Sequence, residues 1–177
     1  MPRKGCQTLL EAVRVLQQDR EVPEFKVLVC GRGRLESGLK SFVAAHKLTN
    51  VEFTGFVTEE DKPRYYASSD ISVFPSNGGE SFGIVLLEAM ASGKAAILAG
   101  DNDGYRAVIG LRPELLFTPK DSTQLANKLK FYLLNDKERI ATAAWCAGYA
   151  EGFDVNRIGA ELVREYNKVL RRDANMQ

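Results

Sequence analysis

Short apolar runs alternating with helical periods constrain this chain more than any other feature. Lys26-Val27-Leu28-Val29-Cys30, Val51-Glu52-Phe53-Thr54, Ile71-Ser72-Val73-Phe74, Ala95-Ala96-Ile97-Leu98 and Leu115-Leu116-Phe117 are each too short for a helix and read as buried strands. Between them, apolar residues recur three and four positions apart. Leu9, Val13 and Leu16, widened by Leu10 and Ala12, predict a helix over about 5–18. Leu35, Leu39, Phe42 and Val43 predict another over about 34–46, with those residues inward. Pro63 suits the first turn of a short helix through Tyr65, Tyr66 and Ala67. A helix from about 83 to 91 stops at Gly93. After Pro119 three more follow. Asp121 or Ser122 caps the first, with Leu125, Leu129, Tyr132 and Leu133 inward; the second spans about 136–149; the third runs from about 156 to 171 through Ile158, Leu162, Tyr166 and Leu170. This order predicts an α/β fold, a Rossmann-like parallel sheet with helices on both faces, whose ligands sit beyond the strand C-termini.

The 177 residues suit one domain. A net charge of +1, from 24 basic and 23 acidic residues, excludes an electrostatic case for nucleic acid as main partner. Arg32/Arg34 and Arg171/Arg172 read as solvated or ligand-facing charges. No run reaches the roughly 18 apolar residues of a transmembrane segment. Cys6, Cys30 and Cys146 lack metal or disulfide spacing and fit thiols in a reducing cytosol. The chain opens on a helix where nucleotide-binding α/β domains open on a strand. It therefore reads as a single domain, 1–177, in a fragment lacking its first strand.

The chemistry concentrates between Pro75 and Gly93. Glu80 sits in the Gly-rich loop Asn77-Gly78-Gly79, and Glu88 follows eight positions later, among Ile84, Val85, Leu86, Leu87, Ala89 and Met90. A carboxylate there is costly to bury unless polar groups meet it, and paired hydroxyls of sugar or ribose are natural partners. Backbone N–H groups near Gly83, Ile84 and Val85 begin a helix and suit a phosphate or diphosphate. Gly83, lacking a side chain, admits an anion close to the backbone. The bland alternative makes Glu80 a solvated loop charge and Glu88 the polar edge of an amphipathic helix. Spacing alone leaves both open.

Other chemistries fit less well. Gly31 and Gly33 begin a G-x-G-x-x-G, but Glu36 stands where the third glycine belongs. There is no P-loop and no G-x-S-x-G, and the single histidine, His46, lies in a predicted surface helix. Asp101-Asn102-Asp103 lacks EF-hand spacing and reads as an ordinary loop, so no metal is expected.

From Glu80 through Gly93 the chain resembles the E-x7-E motif of retaining GT-B glycosyltransferases, in particular glycosyltransferase family 4. The resemblance continues collinearly along the C-terminal, donor-binding domain. It takes in Lys4-Gly5, Val27 through Gly33, Asn50 through Val57, and Asp70 through Ser76. It implies one half of a GT-B fold, transferring a hexosyl group from a nucleoside-diphosphate sugar to an acceptor hydroxyl with retention. Glu80 and Lys4 would be the catalytic residues, Glu80 holding the transferred sugar and Lys4 the diphosphate. Glu88 would hold the ribose, and backbone at Ser81, Phe82, Gly83, Ile84 and Val85 the diphosphate. Gly31, Gly33, Gly55, Phe56 and Val57 would line the base and phosphate region. The donor substrate is the nucleotide sugar, with no cofactor.

The resemblance further implies an N-terminal domain carrying a lipid or saccharide acceptor, so this fragment alone should be inactive. It implies a cytoplasmic domain, with any attachment to the inner membrane made by that missing partner. Two departures stand out: the preceding strand with its Gly-Arg cation is absent, and Lys94-Ala95 replaces the usual Thr-Pro. The alternative is a non-catalytic nucleotide-sugar-binding or regulatory module, since nothing in the chain can be assigned to an acceptor or a catalytic base.

Overall fold

Eight α-helices and five strands, alternating as far as β5, occupy residues 2–174, the part of the chain that the computed structural model describes. They are α1 (Cys6–Gln17), β1 (Val27–Cys30), α2 (Glu36–Ala45), β2 (Val51–Gly55), α3 (Lys62–Ser68), β3 (Ile71–Phe74) and α4 (Ile84–Ala91). β4 (Ala96–Gly100), α5 (Asp103–Ile109), β5 (Leu116–Phe117), α6 (Ser122–Leu134), α7 (Asp136–Ala150) and α8 (Val155–Ala174) follow. All strand pairs are parallel, and helices flank them, as the α/β expectation requires.

The strands do not form one sheet. β1 pairs with β2, Val27 opposite Val51, and β3–β4–β5 form a second sheet, with Ile71 opposite Ala96 and Ala99 opposite Leu116. The parallel β-structure is thus divided between β1 and β3, whose facing edges have no strand partner among the described residues.

The core gathers around β4, all five of whose residues are buried. α4 and α7 pack on each other and on β4, while α1 packs on α6. Leu86, Met90, Ile97, Leu98, Tyr105, Ile109 and Phe117 are nearly or fully excluded from solvent. Each such side chain contributes about 1.5–3 kcal/mol of burial energy. Asp121 caps α6 by accepting from the Gln124 amide, and Gly93 takes the positive φ that ends α4.

Several expectations need correction. β1 alternates between half-buried and exposed positions rather than being buried throughout, because one of its edges is open. α2 buries none of its residues; Leu35 is exposed, and Leu39, Phe42 and Val43 are only half-buried. His46 is exposed, as expected of a surface helix, its ring 4.3 Å from that of Phe42. The region 100–106, read as a loop, contains the start of α5. Along α8, the periodic residues Ile158, Leu162, Tyr166 and Leu170 are all exposed. The side chains of Arg171 and Arg172 lie outside the described residues. None of the described helices is long and apolar enough to cross a membrane.

Candidate functional site

Glu80 is the centre of a polar cluster where residues 2–5 meet the loop after β3. Its Oε1 accepts from Lys4 Nζ at 2.7 Å, Ser76 Oγ at 2.8 Å and Arg3 Nη1 at 3.3 Å. The side chain is only 13% exposed. Burial pushes its pKa up, but hydrogen bonds from Lys4 and Ser76 and the charges of Lys4 and Arg3 outweigh that, holding the carboxyl below its ordinary 4.5. Glu80 is an ionised carboxylate at neutral pH, not a solvated loop charge.

Backbone contacts make this meeting possible. The Asn77 amide donates to the Arg3 carbonyl at 2.7 Å, and Arg3 Nη1 donates to the Gly79 carbonyl at 2.8 Å. Gly5 has φ +69°, and a Cβ there would sit 1.7 Å from the Pro75 carbonyl oxygen. Only glycine lets the chain pass so close and bring Lys4 over Glu80. Arg3 and Ser76 were not singled out from the sequence. Ser76 is buried at the strand exit, and only its Pro75-Ser76 context hinted at it.

Gly83 starts α4 with φ +89°, and its carbonyl accepts from the Leu86 amide at 2.9 Å. Packing alone requires its lack of a side chain: a Cβ would stand 2.7 Å from the buried Tyr105 ring. α5 presses on the loop from behind, since a Cβ on Gly104 would lie 2.3 Å from the Glu80 carbonyl oxygen. Asn102 sets α5 in place. Its Oδ1 accepts from the Tyr105 amide, and its Nδ2 donates to the Gly100 carbonyl at 3.0 Å. Burial pushes the Tyr105 hydroxyl up to about 12, so it stays neutral. Asp101 is held by Arg106 through two hydrogen bonds, and the described residues contain no cluster of His, Cys, Asp and Glu that could hold a metal.

On the outer side of this start, Ser81, Phe82 and Ile84 are exposed and Val85 is half-buried. The Phe82 ring lies 6.2 Å from that of Phe153. The amides of Ile84 and Val85 are the first of α4 and have no earlier helical carbonyl to meet.

Glu88 lies on the exposed face of α4, its side chain 38% accessible, so the anticipated burial cost does not arise. Lys62 Nζ reaches it at 3.4 Å and also meets Glu59 at 2.5 Å. The Glu59 hydrogen bond, with smaller contributions from Glu88, raises the Lys62 pKa. Lys62 went unnoticed in the sequence because its partner is on a different helix. Gly31 and Gly55 meet at the ends of β1 and β2, the Gly31 amide donating to the Gly55 carbonyl at 2.7 Å. Both have positive φ, and Arg32 lies across Gly55. Gly33 is exposed in the turn before α2, Phe56 projects into solvent, and Val57 is half-buried.

The predicted residues therefore occupy the carboxyl ends of the strands as two groups. Lys4 and Glu80 pair beside Ser81–Val85, while Gly31, Val57 and Val85 share the wall of one cavity with Lys62, the partner of Glu88. An ionised carboxylate with an open oxygen, two cations and two free helix-start amides suit a ligand carrying both hydroxyls and negative charge.

The model of the family described as "Glycosyl transferases group 1" matches residues 1–144. The chain belongs to that family. The phosphatidyl-myo-inositol mannosyltransferase of Mycobacterium tuberculosis (strain H37Rv) is 33% identical over 186 residues, covering 99% of this chain and 47% of the relative. The chain thus spans about half the length of the curated relatives it matches. The structure of Anabaena Alr3699/HepE in complex with UDP and glucose superposes with a TM-score of 0.79 at 26% identity, covering 95% of this chain and 46% of that one. The catalytic domain of cholesterol-alpha-glucosyltransferase from Helicobacter pylori, 24% identical, shares the fold (TM-score 0.73) over 87% of this chain and 93% of its own. This group 1 domain thus has the fold of a GT-B C-terminal domain, consistent with glycosyltransferase family 4.

Proposed function

We propose that this domain is the donor-binding half of a retaining glycosyltransferase, moving a hexosyl group from a nucleoside-diphosphate sugar to an acceptor hydroxyl held by an N-terminal domain. The observation that carries the reading is the Lys4–Glu80 pair beside the first amides of α4. A mannosyltransferase relative and a neighbour solved with UDP and glucose support a hexosyl donor.

Glu80 accepts from hydroxyls of the sugar through Oε2, while Ser76 fixes the carboxylate through Oε1. Lys4, Arg3 and the amides of Ile84 and Val85 meet the diphosphate, whose negative charge grows as the glycosidic bond breaks. Glu88 accepts from the ribose hydroxyls at the next turn of α4, and the Gly31–Gly33 and Gly55–Val57 turns flank the base. Charge compensation comes from side chains and amides, with neither metal nor cofactor. The leaving diphosphate helps take the proton from the acceptor hydroxyl as that oxygen bonds to the anomeric carbon on the face the diphosphate leaves. The acceptor is a lipid or saccharide bound by the other domain. The reading makes this domain cytoplasmic, with contact to the inner membrane left to that partner.

The test has two arms. Isothermal titration with UDP, GDP and ADP should show binding of at least one, and the domain alone should hydrolyse or transfer no more than background. Binding by none of the three would remove the donor assignment, and robust transfer without added protein would remove the half-enzyme assignment.

A further inference from the structure

The start of α4 is held differently on its two sides. On the inner side α5 fixes it, since neither Gly83 against the Tyr105 ring nor Gly104 against the Glu80 carbonyl has room for a Cβ. On the outer side stands the Phe82 ring, which is 42% exposed. It meets Phe153 from the far end of the chain, with ring centroids 6.2 Å apart and planes tilted by 57°.

Phe153 is itself well anchored. It ends a single 3₁₀ turn, Glu151–Phe153, between α7 and α8. Its ring stands edge-on to Tyr149 at 5.3 Å, and Tyr149 stacks on Trp145 at 4.9 Å with 13° between planes. The Arg112 guanidinium lies 4.9 Å from the centre of the Trp145 ring and closes the row. Edge-on and offset pairs at these separations are the favourable aromatic arrangements, and the guanidinium adds a cation–π contact. Asp154 caps α8, its Oδ1 accepting from the Asn156 amide at 2.9 Å and its carbonyl from the Ile158 amide at 3.0 Å. Because α7 packs on both α4 and β4, the row of rings ties the outer face of the α4 start to the core on which that helix rests.

Neither Phe82 nor Phe153 belongs to the buried core, so what their contact fixes is local. Phe82 is followed by Gly83 at φ +89°, where the backbone turns freely. The amides of Ile84 and Val85 come next, and a first helical turn has no upstream carbonyls to orient its amides. We infer that Phe153 is a positioning residue for this turn: acting through the Phe82 ring, it holds the Ile84 and Val85 amides in the direction a diphosphate needs. Donors fixed in advance bind a charged group without an ordering cost. That the group is a diphosphate rests on the donor-half reading; the ordering of the turn rests on the ring contact alone.

Nitrogen-15 relaxation of the full chain reads that order. Order parameters at Phe82, Ile84 and Val85 should be near about 0.85 in wild type and below about 0.6 in Phe153→Ala, with β4 unchanged and Phe153→Tyr like wild type. Titration with UDP, GDP, ADP and the three monophosphates reads the consequence. A diphosphate that binds wild type should lose about fivefold or more in Phe153→Ala, and its monophosphate, which brings less charge to the turn, under about twofold. Phe82→Ala should reproduce both effects, and it carries the test if Phe153→Ala does not fold. The double variant should add nothing to either, because both residues act through one contact. Unchanged order in the single variants, full additivity in the double variant, or equal losses for diphosphate and monophosphate would overturn the inference. If no diphosphate binds wild type while the order parameters fall as stated, the donor reading fails and the positioning role stands. If a diphosphate binds and the order does not change, the positioning role alone fails.

Discussion

β4 and β1 are both short apolar strands, yet one is wholly buried and the other is partly open. β4 lies between β3 and β5 and under α4 and α7, so Ala96 through Gly100 lose contact with solvent. β1 has β2 on one edge and a cleft on the other, and Leu28 remains 40% exposed. Composition does not separate them; the number of neighbours does. The candidate site spans both regions, resting Glu80 and α4 on the β3–β5 sheet and the Gly31 and Gly55 turns on the β1–β2 pair.

The largest effect that sharpens this contrast is on stability. Leu98→Ala, at a fully buried position, should cost about 2–5 kcal/mol in urea denaturation, and Leu28→Ala under about 1 kcal/mol. Equal costs would mean that β1 is as well covered as β4. Next comes Gly5→Ala, which forces a side chain against Pro75 at a positive φ and should cost about 1–3 kcal/mol. It should also weaken nucleotide binding several-fold by displacing Lys4. Gly31→Ala, at φ +117° but with open space around it, should cost less, because strain acts there without a clash.

A smaller effect follows from pH. The folded pKa of Glu80 is depressed, so its contribution to stability is complete above the ordinary 4.5 and fades as pH falls below it. Glu80→Gln should therefore narrow the stability difference between pH 7 and pH 3 by a measurable fraction of a kcal/mol, read from Tm. No change in that difference would show that the Lys4 and Ser76 contacts do not hold the carboxylate. Leu28→Ala should leave the same pH profile untouched.

Local signals were readable in the sequence, and long-range ones were not. Strand β3, the stop at Pro75, the start of α4 near Gly83 and its end at Gly93 follow from neighbours in the chain. The Asp121 cap of α6 does as well. The start of α5 was hidden because Gly100 and Gly104 read as a loop, although Asn102 followed by Tyr105, Val108 and Ile109 carries a cap and a helical period. The exposure of Leu28 was not legible, since it depends on which strands pair. At the site, Lys4, Glu80 and Glu88 could be named, but not that Lys4 and Glu80 touch. That contact, with Arg3 and Ser76, requires residues 2–5 to pack on a loop seventy positions later through Gly5. Lys62 beside Glu88 is likewise a meeting of two helices.

The claim at the centre is that the carboxyl ends of these strands bind a nucleoside diphosphate, with Glu88 holding its ribose. Calorimetric titration of UDP, GDP and ADP into the wild-type chain, Glu88→Gln and Leu28→Ala tests it most directly. The account predicts that at least one diphosphate binds, that Glu88→Gln weakens it about tenfold through loss of charged hydrogen bonds, and that Leu28→Ala changes affinity less than twofold. Absence of binding by all three, or a Glu88→Gln chain that binds as tightly as wild type, would contradict it.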